Sequence, residues 1–262
     1  MTVLARQRNE PVAFVTGASS GLGMGLALRF ASEGYTVALA ARRTDRLDEL
    51  TERIRDAGGN ALACPCDVRD RDRVHAAVAR AEAELGPVDL LIASAGVGKE
   101  TTAQGLDAAD LEWILQVNVL GSAYAVEAVL PGMLDRRRGH LVGIGSLAGY
   151  GGLPKGAAYS ASKGALKNYF ESLRLDLRGT GVAVTVITPG YVKTELTAKV
   201  THPMPQLMEL DDAVDVMARA IHRRVLHCAY PRPLSTLAWI GQVFPRKLYD
   251  SLVSTDRRGK SE

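Results

Sequence analysis

A short apolar run, Val12-Ala13-Phe14-Val15, leads into Gly17-Ala18-Ser19-Ser20-Gly21-Leu22-Gly23 and then into a helical pattern through Phe30 and Ala31. This order of strand, glycine turn and helix narrows the fold more than anything else in the chain, because its rhythm recurs. Residues 35–41, 61–66, 88–93, 140–144 and 183–188 read as further buried strands. Helices are expected over 46–57, 71–85 and 110–134, and from Tyr159 to about Arg178. Apolar runs separated by amphipathic helices imply parallel strands joined by right-handed crossovers and covered on both faces. The expected architecture is α/β, a doubly wound parallel sheet flanked by helices on both faces. With no repeat, linker or shift in composition, one domain should span residues 1–262.

After Pro189-Gly190 the pattern loosens. Residues 197–210 read as a loop, and Asp211 is expected to cap a helix running to about Leu226. Residues 195–230 are therefore expected to cover a substrate, with Met204, Leu207, Met208 and Leu210 offering adaptable apolar surface. Residues 231–262 form an apolar and basic extension around Trp239 that ends near Arg257 and Arg258. Such a segment could lie on an anionic membrane surface, but a substrate lid or subunit contact is the favoured reading.

Composition excludes several classes of function. A formal net charge of +3, spread among acids, gives no reason to expect a nucleic-acid partner. Cys64, Cys66 and Cys228 are too few for a disulfide framework and lack metal-knuckle spacing, so they are expected as reduced thiols in or beside the core. The five histidines, His75, His140, His202, His222 and His227, show no metal spacing either. Residues 1–10 hold no apolar signal segment, and no apolar run approaches ~18 uninterrupted residues. A cytoplasmic protein is the expectation.

The glycine turn lets backbone N–H groups approach a pyrophosphate at a helix N-terminus. Where a dinucleotide fold often carries a carboxylate for the ribose hydroxyls, the second strand here ends Ala40-Ala41-Arg42-Arg43. The guanidinium of Arg42, with Arg43 as a second candidate, would pair with a 2′-phosphate, assisted by Ser19 or Ser20, so NADP(H) is expected over NAD(H). Further along, Tyr159 and Lys163 are four residues apart and share one helix face. A tyrosine with its ordinary pKa of about 10 exchanges protons poorly at neutral pH, and the ammonium is expected to make the phenol more acidic.

Together these features resemble the short-chain dehydrogenase/reductase family over about residues 12–194, and imply its Rossmann-type fold. Gly17, Ser19, Ser20, Gly21, Leu22 and Gly23 lie in the segment resembling the cofactor turn. Asp67, followed by Val68, matches the aspartate that contacts adenine; Asn118 matches the helix asparagine and Ser146 the catalytic serine. Pro189, Gly190, Val192 and Thr194 resemble the segment that holds the nicotinamide carboxamide. After the fourth strand the chain reads Ala93-Ser94-Ala95-Gly96 where the family has Asn-Asn-Ala-Gly, which keeps the glycine beside the cofactor but loses side-chain bonds to the sheet. The resemblance implies hydride exchange between a nicotinamide and a carbonyl or alcohol. Tyr159 would be the acid or base, Ser146 would bond the substrate oxygen, Lys163 would hold the ribose and Asn118 a water. It further implies a small-molecule substrate, here expected to be mainly apolar, and a homodimer or homotetramer. A nicotinamide-binding regulator without turnover is the alternative, disfavoured by an intact Ser146, Tyr159 and Lys163.

Overall fold

The expected strands form where apolar and β-branched residues run uninterrupted, as the computed structural model of residues 10–253 shows. They are β1 (Val12–Thr16), β2 (Thr36–Ala41), β3 (Asn60–Pro65), β4 (Val88–Ala93), β5 (Gly139–Ile144) and β6 (Val182–Pro189). A further strand, β7 (His227–Tyr230), completes a parallel sheet of order β3-β2-β1-β4-β5-β6-β7. Its four residues, His-Cys-Ala-Tyr, give too short and polar a run to announce a strand, and it forms because β6 offers an edge. Arg257 and Arg258, which belong to the C-terminal extension, lie outside the described residues.

The helices are α1 (Gly21–Ser32), α2 (Thr44–Asp56), α3 (Arg71–Leu85), α4 (Ala108–Leu115), α5 (Gly121–Asp135), α6 (Ala157–Asp176), α7 (Leu210–His222), α8 (Arg232–Gly241) and α9 (Arg246–Val253). On one face of the sheet Phe14, Leu91 and Leu141 pack with Val126 and Phe170. On the other, Val15, Leu39 and Ile92 pack with Leu26, Phe30 and Met217. Fully burying each such side chain contributes roughly 1.5–3 kcal/mol. His140 is buried in β5, and burial pushes its pKa down to about 3. The Thr185 hydroxyl donates to Val225 O, so its bond to His140 Nε2, 2.8 Å long, must be one in which the imidazole donates.

Three boundaries differ from expectation. The helix expected over 110–134 is α4 and α5 joined by a π-helical turn, Gln116–Leu120, which the apolar period does not reveal. Helix α7 begins at an N-cap Glu209 rather than Asp211 and stops at His222. Leu226 lies beyond it and is exposed, so nothing apolar holds another turn.

Strand order reverses between β1 and β4, which carry the chain outward in opposite directions and leave a crevice beyond their C-terminal ends. Helix α6 is set against that crevice by Gly143 of β5. A Cβ at Gly143 would stand 2.7 Å from Phe170 Cδ2, so any side chain there would push the helix away.

Candidate active site

The turn after β1 closes through glycine. Gly17 has φ +70°, and a Cβ there would sit 2.8 Å from Ala95 Cα; a Cβ on Gly23 would collide with the carbonyl oxygen of Gly17. Thr16 Oγ1 accepts from both Ser94 N and Ala95 N, each at 3.1 Å. That threonine takes up part of the work of the asparagines absent from 93–96, joining β1 to β4 where the crevice opens. Ser20 caps α1 with its backbone alone, so the first amides of the helix remain able to meet an anion.

At the end of β2 the two arginines separate. Arg43 turns inward: its Nε donates to Ser19 Oγ at 3.1 Å, and Nη2 to Ser19 Oγ and Ser20 Oγ at 3.0 and 2.7 Å. Arg42 borders the same cleft but is exposed and makes no side-chain hydrogen bond among the described residues. Arg43 thus holds the position the sequence reading gave first to Arg42. Asp67 is gripped by Arg69, whose hydrogen bonds hold its carboxyl below the ordinary value. It lines the cleft with Cys66 and Val68.

At the other end, β5 delivers Ser146 and α6 delivers Tyr159 and Lys163 to the same cleft. Lys163 is 5% exposed; its Nζ donates to Ile144 O at 2.9 Å, and burial lowers its pKa to about 8. Burial pushes the Tyr159 phenol up, the Ser146 hydroxyl draws it back and neighbouring Tyr191 adds to the rise. Lys163, expected to acidify the phenol, is not among the groups that lower it. The ammonium lies 5.8 Å from the ring centroid and is itself short of solvent. Ser146 Oγ also accepts from Ala148 N, which fixes the start of a short turn at Leu147–Gly149.

Asn118 sits in the π-helical turn and is completely buried. Its Oδ1 accepts from Val97 N at 2.8 Å, and Nδ2 donates to Val97 O and to Ser162 Oγ at 3.0 and 2.9 Å. Both amide hydrogens are committed, so the side chain ties the loop after β4 to α6. Sequence reading assigns Thr16 only a place in the segment resembling the cofactor turn and assigns Ser162 no role, because a lone threonine or serine does not show which backbone or side chain it will bond.

The cleft encloses about 740 Å³, with the glycine turn and Arg43 at one end, Tyr159 and Lys163 at the other, and Pro189, Gly190, Val192 and Thr194 along one wall. Ala95 and Gly96 also line it, and a Cβ on Gly96 would stand 3.4 Å from Lys163 Nζ. An elongated nucleotide fits this outline: glycines and helix amides at a phosphate end, a buried cation and phenol where its reactive end would lie.

Of the described residues in 195–230, expected to cover a substrate, only the first few, 195–198, line the cleft. Met208 instead bridges to Val192, exchanging backbone bonds with Tyr191 and Lys193, and with Leu210 it packs on the core. Helix α7 lies against α1, where Val214 comes so near Gly25 that a Cβ would stand 2.6 Å away. The rim of the cleft is knitted at Glu100, which accepts from Thr201 Oγ1 at 3.0 Å and lies 3.5 Å from His202 Nδ1 and 3.7 Å from Lys155 Nζ. His202 Nε2 in turn bonds Tyr191 Oη at 3.0 Å. Tyr249 of α9 donates to Gly152 O, and Leu234 of α8 approaches Gly190, while Leu237, Trp239 and Val243 remain exposed.

Residues 11–205 match the family model described as short chain dehydrogenase. An uncharacterized oxidoreductase of Myxococcus xanthus is 46% identical over 239 residues, covering 91% of this chain and 94% of the relative. The NADP-dependent 3-hydroxy acid dehydrogenase of Shigella flexneri is 38% identical over 183 residues, 69% of this chain and 72% of its own length. Among solved structures, a variant of actinorhodin polyketide ketoreductase with NADPH superposes with a TM-score of 0.81 at 28% identity, covering 87% of this chain and 98% of that one.

Proposed function

The chain belongs to the short-chain dehydrogenase/reductase family and is an oxidoreductase of that family; from this premise we propose that it is an NADPH-preferring reductase of mainly apolar carbonyl compounds. The observation that carries the reading is the half-buried Tyr159 phenol, which lines the cleft with Ser146 and stands one helical turn from the buried Lys163. A bound nicotinamide supplies or accepts a hydride at a carbon. This chain's residues handle the proton and the oxygen. Ser146 hydrogen-bonds the substrate oxygen and Tyr159 donates its proton to it as negative charge develops there. Burial keeps the phenol protonated at neutral pH, the form that reduction needs. Lys163 holds a positive charge beside the pair and offers donors to ribose hydroxyls, and Asn118 keeps the adjoining loop in place.

Preference for NADPH is supported by Arg43 resting on Ser19 and Ser20, with Ala41 offering no carboxylate to the ribose. The names of the Shigella dehydrogenase and the polyketide ketoreductase support a carbonyl on an acyl chain as the reacting group. An apolar substrate is supported by Val97, Trp113, Val117 and Leu196 along the cleft. A cytoplasmic location, supported by three unpaired cysteines, belongs to the same reading.

Nucleotide oxidation followed over a panel of aldehydes and ketones tests the reading. Turnover should be faster with NADPH than with NADH, Arg43→Asp should reverse that order, and Tyr159→Phe should lose more than about 100-fold in kcat with nucleotide affinity kept. Ordinary activity in Tyr159→Phe would overturn the mechanism, and equal use of both nucleotides by the wild type would overturn the preference.

A further inference from the structure

The Arg43 guanidinium is already engaged by a carboxylate from the far side of the cleft. Its Nη1 donates to Glu195 Oε2 at 2.9 Å, while Glu195 Oε1 pairs with Arg46 of α2. Glu195 follows Thr194 in the segment after β6, so this ion pair spans the cleft from the β6 side to the corner between β2 and α2. The segment is shaped to present it. Thr197 Oγ1 donates to Val192 O and accepts from Thr194 N at 2.9 Å, which closes a tight turn around Glu195. Thr194 lies over the glycine turn, its Cγ2 3.3 Å from where a Gly21 Cβ would stand.

We propose that Glu195 is a specificity-determining residue: its carboxylate takes the place of a 2′-phosphate on Arg43 and Arg46, and a nucleotide must displace it to engage them. This rests on the reading that Arg43 receives the 2′-phosphate. The two anions seek the same donors, and the phosphate has the advantage in charge, roughly −2 against −1, and in acceptor oxygens. Glu195 is half exposed, so water can take over its solvation when it is displaced. Hydrogen bonds from Arg43 and Arg46 hold its carboxyl below the ordinary value, which keeps the competitor ionised. A nucleotide without the 2′-phosphate leaves the ion pairs in place, so the cost of removing Glu195 falls on the phosphorylated cofactor alone and narrows the difference between the two.

The experiment is calorimetric titration of the full chain and of Glu195→Gln with adenosine 2′,5′-bisphosphate and with adenosine 5′-monophosphate, with Arg43→Ala as reference. Glu195→Gln should bind the bisphosphate about fivefold more tightly, the factor for releasing two exposed ion pairs, with the monophosphate unchanged. If the wild type prefers the bisphosphate and loses that preference in Arg43→Ala, but Glu195→Gln brings no gain or a loss, the proposal is overturned and the Arg43 reading stands. Discrimination by Glu195→Gln alone would support the proposal and overturn the wild-type preference. Failure of either protein to discriminate would overturn both.

Discussion

Lys163 is an ammonium with almost no solvent and, among the described residues, no carboxylate partner, held by Ile144 O. Such a group burdens the fold and is kept where chemistry needs it. With a folded pKa of about 8 and an unfolded value of 10.5, the unfolded chain binds more protons between those pH values, so stability rises with pH across that window. Urea unfolding of the wild type and of Lys163→Met should show the difference between them shifting by about 2–3 kcal/mol from pH 7.5 to 10, in favour of the wild type at high pH. A difference that does not move with pH would refute this. Spacing placed Tyr159 and Lys163 on one helix face, and the family resemblance singled out Ser146. The direction of the phenol's shift could not be read that way, because it depends on burial by residues distant in sequence.

At the scale of elements, three loops meet beside the cleft, each with no more than a short 3-10 turn of its own. Thr101 pairs with Lys155 and Gly156, and Glu100 reaches Thr201 and His202 a hundred residues on. Glu100→Ala should loosen the rim without touching the proton path. We expect KM for a bulky ketone to rise about threefold while kcat stays within about twofold. Steady-state kinetics checks this, and a fall in kcat alone would show that the clasp serves something other than substrate positioning. The sheet and its flanking helices were legible because periodicity records burial directly. The loops were not, because neither their polarity nor their length encodes which of them will meet.

For the whole molecule, the wide apolar surface of α4, α5 and α6 is only partly used inside one chain. Val117, Leu166 and Phe170 face the core, whereas Leu111, Leu120 and Leu175 are exposed. Although residues 108–135 are apolar and long enough to cross a membrane, much of that span is packed in the fold. We expect the exposed part to be covered by a second copy, giving a homodimer or homotetramer. Light scattering at micromolar concentration should report a multiple of 28.0 kDa, and a monomer alone would overturn that expectation.

What the sequence determined by itself is what local pattern can carry. Apolar runs and amphipathic helices in alternation dictated a parallel, doubly wound sheet; the glycines after β1 dictated a turn open to phosphate; four-residue spacing placed Tyr159 and Lys163 on one face. Each follows from geometry repeated within a few residues. Only the tertiary structure decided that Arg43 rather than Arg42 meets Ser19 and Ser20, that Asn118 sits in a π-helical turn, that Met208 packs against the core and that Glu195 bridges the cleft. These depend on which irregular segments pack together, and Arg43 and Glu195, 152 positions apart, meet only once the sheet has brought its C-terminal edge into one place.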